Sequence, residues 1–168
     1  MGIEIERKFL PANDGWRNQG QPTPMRQGYL CSDPERTVRV RIEGERAVIT
    51  IKSKVTGASR GEWEYDIPVP DAAELLERLC EQPLVEKTRH RIEYRGHVWE
   101  VDEFAGQNAG LVVAEIELGA EDEAFERPDW IGREVTGDKR YYNSSLIRLP
   151  YSQWKDKACS ESRGALSC

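Results

Sequence analysis

Gly2-Ile3-Glu4-Ile5-Glu6-Arg7-Lys8-Phe9-Leu10 is the stretch on which the fold turns. In an extended strand successive side chains point to opposite faces, so Glu4, Glu6 and Lys8 share one face while Ile3, Ile5 and Phe9 share the other. The same alternation recurs along the chain. Arg39 and Arg41 oppose Val38, Val40 and Ile42. Thr50, Lys52 and Lys54 oppose Ile49, Ile51 and Ser53. Glu62, Glu64 and Asp66 oppose Trp63, Tyr65 and Ile67. Lys87, Arg89 and Arg91 share a face; Glu100 and Asp102 oppose Trp99 and Val101; Glu115 and Glu117 oppose Ala114, Ile116 and Leu118. Period two predicts eight strands, over 3–10, 25–31, 37–42, 47–53, 62–67, 86–94, 97–104 and 111–118. Glu43-Gly44-Glu45 and Arg95-Gly96 read as tight hairpins.

Two readings of this alternation are open. In an ordinary half-buried sheet the polar face meets water and the apolar face meets the core. Two details favour the inverse arrangement. The polar positions are almost all carboxylates and Arg or Lys, and the signs segregate by strand, acids on the first, fifth, seventh and eighth and bases on the third, fourth and sixth. Eight antiparallel strands can close around one small ligand. The expected architecture is therefore mainly β (α+β): an eight-stranded antiparallel barrel, a tunnel with a charged interior, flanked by a few helices. Burying so many uncompensated charges would be prohibitive, so such an interior is wet and holds a ligand of complementary charge. Its basic set suits a polyanion and its acidic set suits divalent cations. A polyphosphate with Mg²⁺ or Mn²⁺ satisfies both.

Composition narrows the classes. The 168 residues fit one domain, and 38% hydrophobic residues leave enough for a core. A net charge of -6 argues against a general nucleic-acid binder. No apolar run could span a bilayer, so no membrane partner is expected, and the opening lacks a secretory signal, so a cytoplasmic protein is. Cys31, Cys80, Cys159 and Cys168 form no C-x-x-C pair, so no zinc site is predicted. Helices are predicted from Asp71, with Glu74 completing a capping box, over 121–126, and over 138–148. Trp16, Trp63, Trp99, Trp130 and Trp154 read as packing residues, and His90 and His97 lie off the charged face or at a turn. Glu43, Glu45 and Arg46 read as a solvated loop cluster, and Lys54 and Arg91 as rim positions.

At Glu4-Ile5-Glu6-Arg7-Lys8 the chain resembles the E-x-E-x-K signature of the CYTH superfamily, the triphosphate tunnel metalloenzymes. Arg39-x-Arg41, Lys52, Glu62-x-Glu64, Lys87-x-Arg89, Glu100-x-Asp102 and Glu115-x-Glu117 follow in the family's order, and 132–146 resembles its closing segment, with Asp138, Tyr141, Asn143 and Leu146. The resemblance implies a tunnel domain over 1–149, leaving 150–168 as a C-terminal tail. It implies that Lys8, Arg39, Arg41, Lys52, Lys87 and Arg89 bind triphosphate, with Tyr29 near the tunnel mouth. It implies that Glu4, Glu6, Asp102, Glu115 and Glu117 serve the metals, with Glu62 and Glu64 nearby or orienting water, and that the segment from Asp138 closes one end. Lys8, Lys87 and Glu64 are the catalytic candidates.

The expected function is metal-dependent hydrolysis of inorganic tripolyphosphate to diphosphate and orthophosphate. A class IV-type adenylate cyclase, a thiamine or nucleoside triphosphatase, and a non-catalytic polyphosphate-binding module are the alternatives. A homodimer would cover the apolar outer face of such a barrel.

Overall fold

The computed structural model describes residues 2–155. Nine strands form one antiparallel sheet: β1 (Gly2–Pro11), β2 (Pro22–Asp33), β3 (Arg36–Glu43), β4 (Arg46–Ser53), β5 (Ser59–Ile67), β6 (Val85–Tyr94), β7 (His97–Phe104), β8 (Val112–Glu117) and β9 (Ile131–Glu134). Their order is β5-β4-β3-β2-β6-β7-β8-β1-β9, and β5 also pairs with β1. That second pairing, Gly2↔Glu62 to Ile5↔Ser59, closes eight strands into a barrel. All eight expected strands are present. The ninth, at 131–134, was not predicted. It continues the β1 edge beyond the point where β5 leaves it, pairing Phe9 with Glu134 and Pro11 with Ile131.

The apolar faces turn outward and are covered in two places. Val40 and Ala47 pack beneath α1 (Val69–Arg78), which buries Ala72, Leu76 and neighbouring Cys80. Approach here is close: a Cβ at Gly28 would stand 2.7 Å from Leu84 and 2.8 Å from the Cys80 Cβ. Phe9, Ile92, Trp99, Val101 and Ile116 pack beneath Trp16, Phe125 and Trp130, contributed by the loops before β2 and after β8. His90 stacks edge-on against Trp16 at 5.0 Å, on this outer side. Ile3, Ile51 and Tyr65 remain exposed on the outer face of β1, β4 and β5. Among the described residues no helix is long and apolar enough to cross a membrane.

One end of the barrel is closed. Val85, Phe104 and Val113 lie two residues from Lys87, Asp102 and Glu115, so they share the inward face. Together with Tyr29 they form an apolar layer, packed by Tyr141, Leu146, Ile147, Tyr151 and Trp154 of the C-terminal segment. Tyr151 and Trp154 come from the expected tail and are buried. Cys159 and Cys168 lie outside the described residues.

The helical expectations fared less well. α1 starts two residues early, with Pro70 in its first turn, and the Asp71 capping box does not form. Asp71 instead sits in the first turn, where a carboxylate favours the helix dipole. Residues 121–126 are not helical: Glu123 turns back to the Gly119 amide and to His97, and Phe125 is drawn into the outer core. The span 138–148 breaks into a 3₁₀ turn at Lys139–Tyr141 and one helical turn, α2 (Asn143–Leu146), because Tyr142 is extended at φ -72°, ψ 132°.

Candidate active site

Because each charged face points inward, the strand register decides which side chains meet. Most cross-strand pairs join opposite charges: Lys8 with Glu115, Lys52 with Glu62, Arg89 with Asp102 and Arg91 with Glu100. Two pairs join like charges, Glu6 with Glu117 and Glu100 with Glu115. Like charges directly opposite one another are destabilising, so this carboxylate wall on β1, β7 and β8 has a cost that folding alone does not explain. In the ring order β3 stands four strands from β8, so Arg39 and Arg41 face that wall across the barrel.

Between them lies a cavity of ≈ 590 Å³. Seven cationic side chains line it (Lys8, Arg39, Arg41, Lys52, Arg60, Lys87, Arg89), with seven carboxylates (Glu4, Glu6, Glu62, Glu64, Glu100, Glu115, Glu117). Tyr29, Thr37, Tyr142, Asn143 and Ser144 also line it, as does His97 at the β6–β7 turn. Every cation read from the sequence as a triphosphate ligand reaches this cavity, and Tyr29 does too, buried beside the apolar layer.

Most of the cations are engaged by carboxylates. Lys52 Nζ donates to Glu4 at 2.7 and 2.9 Å and lies 3.1 Å from Glu62. Lys8 Nζ contacts Glu115 at 2.5 Å and Glu6 at 2.9 Å. Arg89 forks onto Asp102 at 2.7 and 2.8 Å and pairs with Glu100. Arg39 and Arg41 differ. Arg39 reaches Thr50 in a long bond, 3.4 Å, and the Tyr29 hydroxyl, and Arg41 stands 3.7 Å from Glu43 and 3.8 Å from Glu64. The Nε of each is buried without a hydrogen-bond partner. Two adjacent guanidiniums with spare donors form an anion site. Burial, with Arg39 and Arg89 alongside, lowers the Arg41 pKa to about 10.

The acidic wall has the opposite imbalance. Burial and then Glu115 push the Glu6 carboxyl above its ordinary range. Burial, then Glu4 and Glu62, do the same to Glu117. Burial also works to raise Glu4, but Lys52 and Arg60 outweigh it and bring it down to about 2. For Glu6 and Glu117 burial is the larger cause and neighbouring carboxylates add to it; a bound divalent cation would relieve that crowding, and an all-oxygen donor set suits Mg²⁺ or Mn²⁺. In that sense the residues fit the metals. As the side chains lie, no group of three acidic, His or Cys side chains among the described residues converges as a ready cation site. Glu4, Glu6 and Glu115 are held by lysines and arginines instead.

Asp102 is out of place in the expected metal set. It is fully buried, is not part of the cavity lining, and both oxygens are taken, by Lys87 at 2.6 Å and by Arg89. Its position is that of an anchor for those two cations. Burial lowers Lys87 more than Asp102 raises it, bringing its pKa to about 8. For Lys8, Glu115 and Glu6 outweigh burial and hold the ammonium charged. Glu64 accepts from Thr50 at 3.0 Å.

Two groups were missed. Arg60 lines the cavity and donates to Glu4 at 2.9 Å. Extending the Glu62-x-Glu64 alternation by one step would have found it. Glu43 is no solvated loop residue: it pairs with Arg91 at 2.6 Å and approaches Arg41. Lys54 pairs with Glu35 at the exposed exterior, as a rim residue would.

With this geometry in hand, the relatives are informative. The model of the CYTH domain matches residues 2–147. An inorganic triphosphatase from Acetivibrio thermocellus is 50% identical over 156 residues, covering 93% of this chain and all of that protein. An inorganic triphosphatase from Nitrosomonas europaea is 42% identical over 149 residues, covering 85% of this chain and 95% of that protein. A crystal structure of an inorganic triphosphatase superposes with a TM-score of 0.62 at 38% identity, covering 88% of this chain and 95% of the other. At 17% identity and a TM-score of 0.57, a putative adenylate cyclase from Bacillus halodurans shares the fold.

Proposed function

This chain belongs to the CYTH-domain family, and we propose on that premise that it is a metal-dependent inorganic triphosphatase, cleaving tripolyphosphate to diphosphate and orthophosphate. The observation that carries the reading is the pair of under-engaged arginines, Arg39 and Arg41, facing a wall of like-charged carboxylates.

The lining charges balance, seven against seven. A triphosphate therefore brings an unbalanced negative charge, and divalent cations on Glu4, Glu6, Glu115 and Glu117 would offset it. When bound, those ions neutralise phosphate oxygens and lower the pKa of coordinated water. The chain's own residues do the rest. Arg39 and Arg41, each with an unpartnered Nε and no close carboxylate, take phosphate oxygens. Lys8, Lys52 and Arg89 exchange carboxylate oxygens for phosphate oxygens, so charge build-up in phosphoryl transfer meets preset cations. Glu64, fixed by Thr50, orients water, and Lys87 can give or take a proton near neutral pH. Asp102 holds Lys87 and Arg89 in place from below.

Inorganic tripolyphosphate is favoured over the cyclase and organic triphosphatase readings by identity: both curated relatives above 40% are inorganic triphosphatases. A substrate panel of tripolyphosphate, ATP and thiamine triphosphate, each with Mg²⁺ and Mn²⁺, tests it. Tripolyphosphate should be turned over fastest. Cyclic AMP from ATP, or binding without turnover, would replace this reading. Unpaired Cys31 and Cys80 suit a reducing cytoplasm. A homodimer through Ile3, Ile51 and Tyr65 would cover the exposed outer face.

A further inference from the structure

Gln27 on β2 is fully buried, yet it is polar and lies outside the cavity lining. Its Nε2 donates to Asn143 Oδ1 at 3.0 Å, while its own Oε1 has no partner. The same Asn143 Oδ1 accepts from Lys87 Nζ at 3.0 Å, and Asn143 reaches the cavity. A buried amide with half its capacity unmet is expensive, and an apolar side chain would fill the space at lower cost. Lys87 has its ammonium on two acceptors from separate elements, Asp102 on β7 at 2.6 Å and Asn143 on α2 at 3.0 Å. An ammonium has three hydrogens, so two fixed bonds leave one free donor with a fixed direction. Nothing else in the packing of α2 calls for this contact: its buried member is Leu146, which lies in the apolar layer.

We infer that Asn143, held by Gln27, is a positioning residue that aims the Lys87 ammonium at the phosphoryl group undergoing transfer. The inference rests on the proposed triphosphatase reading. Through this relay the C-terminal segment that closes the barrel also sets the geometry of the reaction. Lys87 retains its anchor on Asp102 when Asn143 is lost, so the ammonium stays in the cavity but swings. Ground-state binding by Arg39, Arg41 and the other cations is left intact, and misalignment of a reacting group lowers turnover.

The test is a two-residue cycle on the full chain, with tripolyphosphate and Mg²⁺. Asn143→Leu should lower kcat about 10-fold with KM within about 2-fold. Gln27→Leu, which touches neither substrate nor Lys87, should lower kcat about 3-fold. The double variant should be no slower than Asn143→Leu, because both act through one bond to Lys87. Thermal unfolding of each variant, followed in parallel, sets an assay temperature at which it is folded. If Asn143→Leu does not fold, Gln27→Leu carries the test. Unchanged kcat in the variants, a KM that rises as far as kcat falls, or losses that multiply in the double variant would overturn the relay. An inactive wild-type protein would overturn the triphosphatase reading and the relay with it; an active wild type with any of those variant results overturns the relay alone.

Discussion

Replacing Arg41 with methionine should make the protein more stable and less active, and both effects can be sized. Burial, with Arg39 and Arg89 alongside, brings Arg41 well below the ordinary guanidinium range, to about 10. Each unit is worth about 1.4 kcal/mol, so keeping Arg41 charged costs the folded state up to about 3 kcal/mol at neutral pH. The contacts that offset this, to Glu43 at 3.7 Å and Glu64 at 3.8 Å, are long. Methionine keeps most of the side-chain volume and removes the charge. The sign with pH is fixed. A cation with a depressed folded pKa destabilises fully below that pKa, and the penalty fades only as pH rises above about 10. The gain in Arg41→Met should therefore be constant between pH 6 and 9, at about 1–3 kcal/mol by urea unfolding, or at least 2–4 °C in Tm. Losing a charge-assisted contact to phosphate, worth about 1.5–3 kcal/mol, should lower kcat/KM for tripolyphosphate by about 10–150-fold. A variant that is less stable than wild type by more than about 1 kcal/mol, or one that keeps its activity, would refute the view of Arg41 as an anion ligand held at a structural cost.

Other consequences follow from the same contacts. Asp102→Asn leaves Lys87 and Arg89 buried with only partial compensation and should cost about 3–5 kcal/mol by urea unfolding; a cost below about 1 kcal/mol would contradict its role as anchor. Glu4, brought from 4.5 to about 2 by Lys52 and Arg60 against burial, contributes stability that is complete above about pH 4.5 and lost as pH falls toward 2. Glu4→Gln should flatten the fall in stability over that window in metal-free buffer, and an unchanged slope would argue against the pairing. Leu146→Ala, in the apolar layer that closes the barrel, should cost about 2–5 kcal/mol in the same unfolding assay, and a neutral result would mean that this end is not packed as described.

The barrel was legible because a charged face alternates with an apolar one in seven of its eight strands, β2 being the exception with a bulge between Tyr29 and Cys31, and the direction of the charged face could be argued from residue type. Alternation alone gives the same pattern for a sheet with its charges in water. It was the sorting of acids and bases by strand that separated the two. What escaped was whatever short-range pattern does not encode. Ile131–Glu134 is four residues long and becomes a strand only because the β1 edge is left open where β5 departs. The span 138–148 has helical composition, but Tyr141 and Leu146 are pulled into the barrel end, and tertiary packing overrides propensity. Asp102 sits in step with Glu100 in the sequence, yet register carries it beneath the cavity, onto Arg89. Arg60 was in reach of the alternation, and Asn143 entered by resemblance, without the contact to Lys87 that gives it a role.

The account predicts where ligands settle, and anomalous diffraction from crystals grown with Mn²⁺ and tripolyphosphate reads that directly. Manganese should lie against Glu4, Glu6, Glu115 and Glu117, with phosphate oxygens on Arg39 and Arg41. Manganese or phosphate bound only on the outer surface, with the barrel interior empty of both, would contradict it.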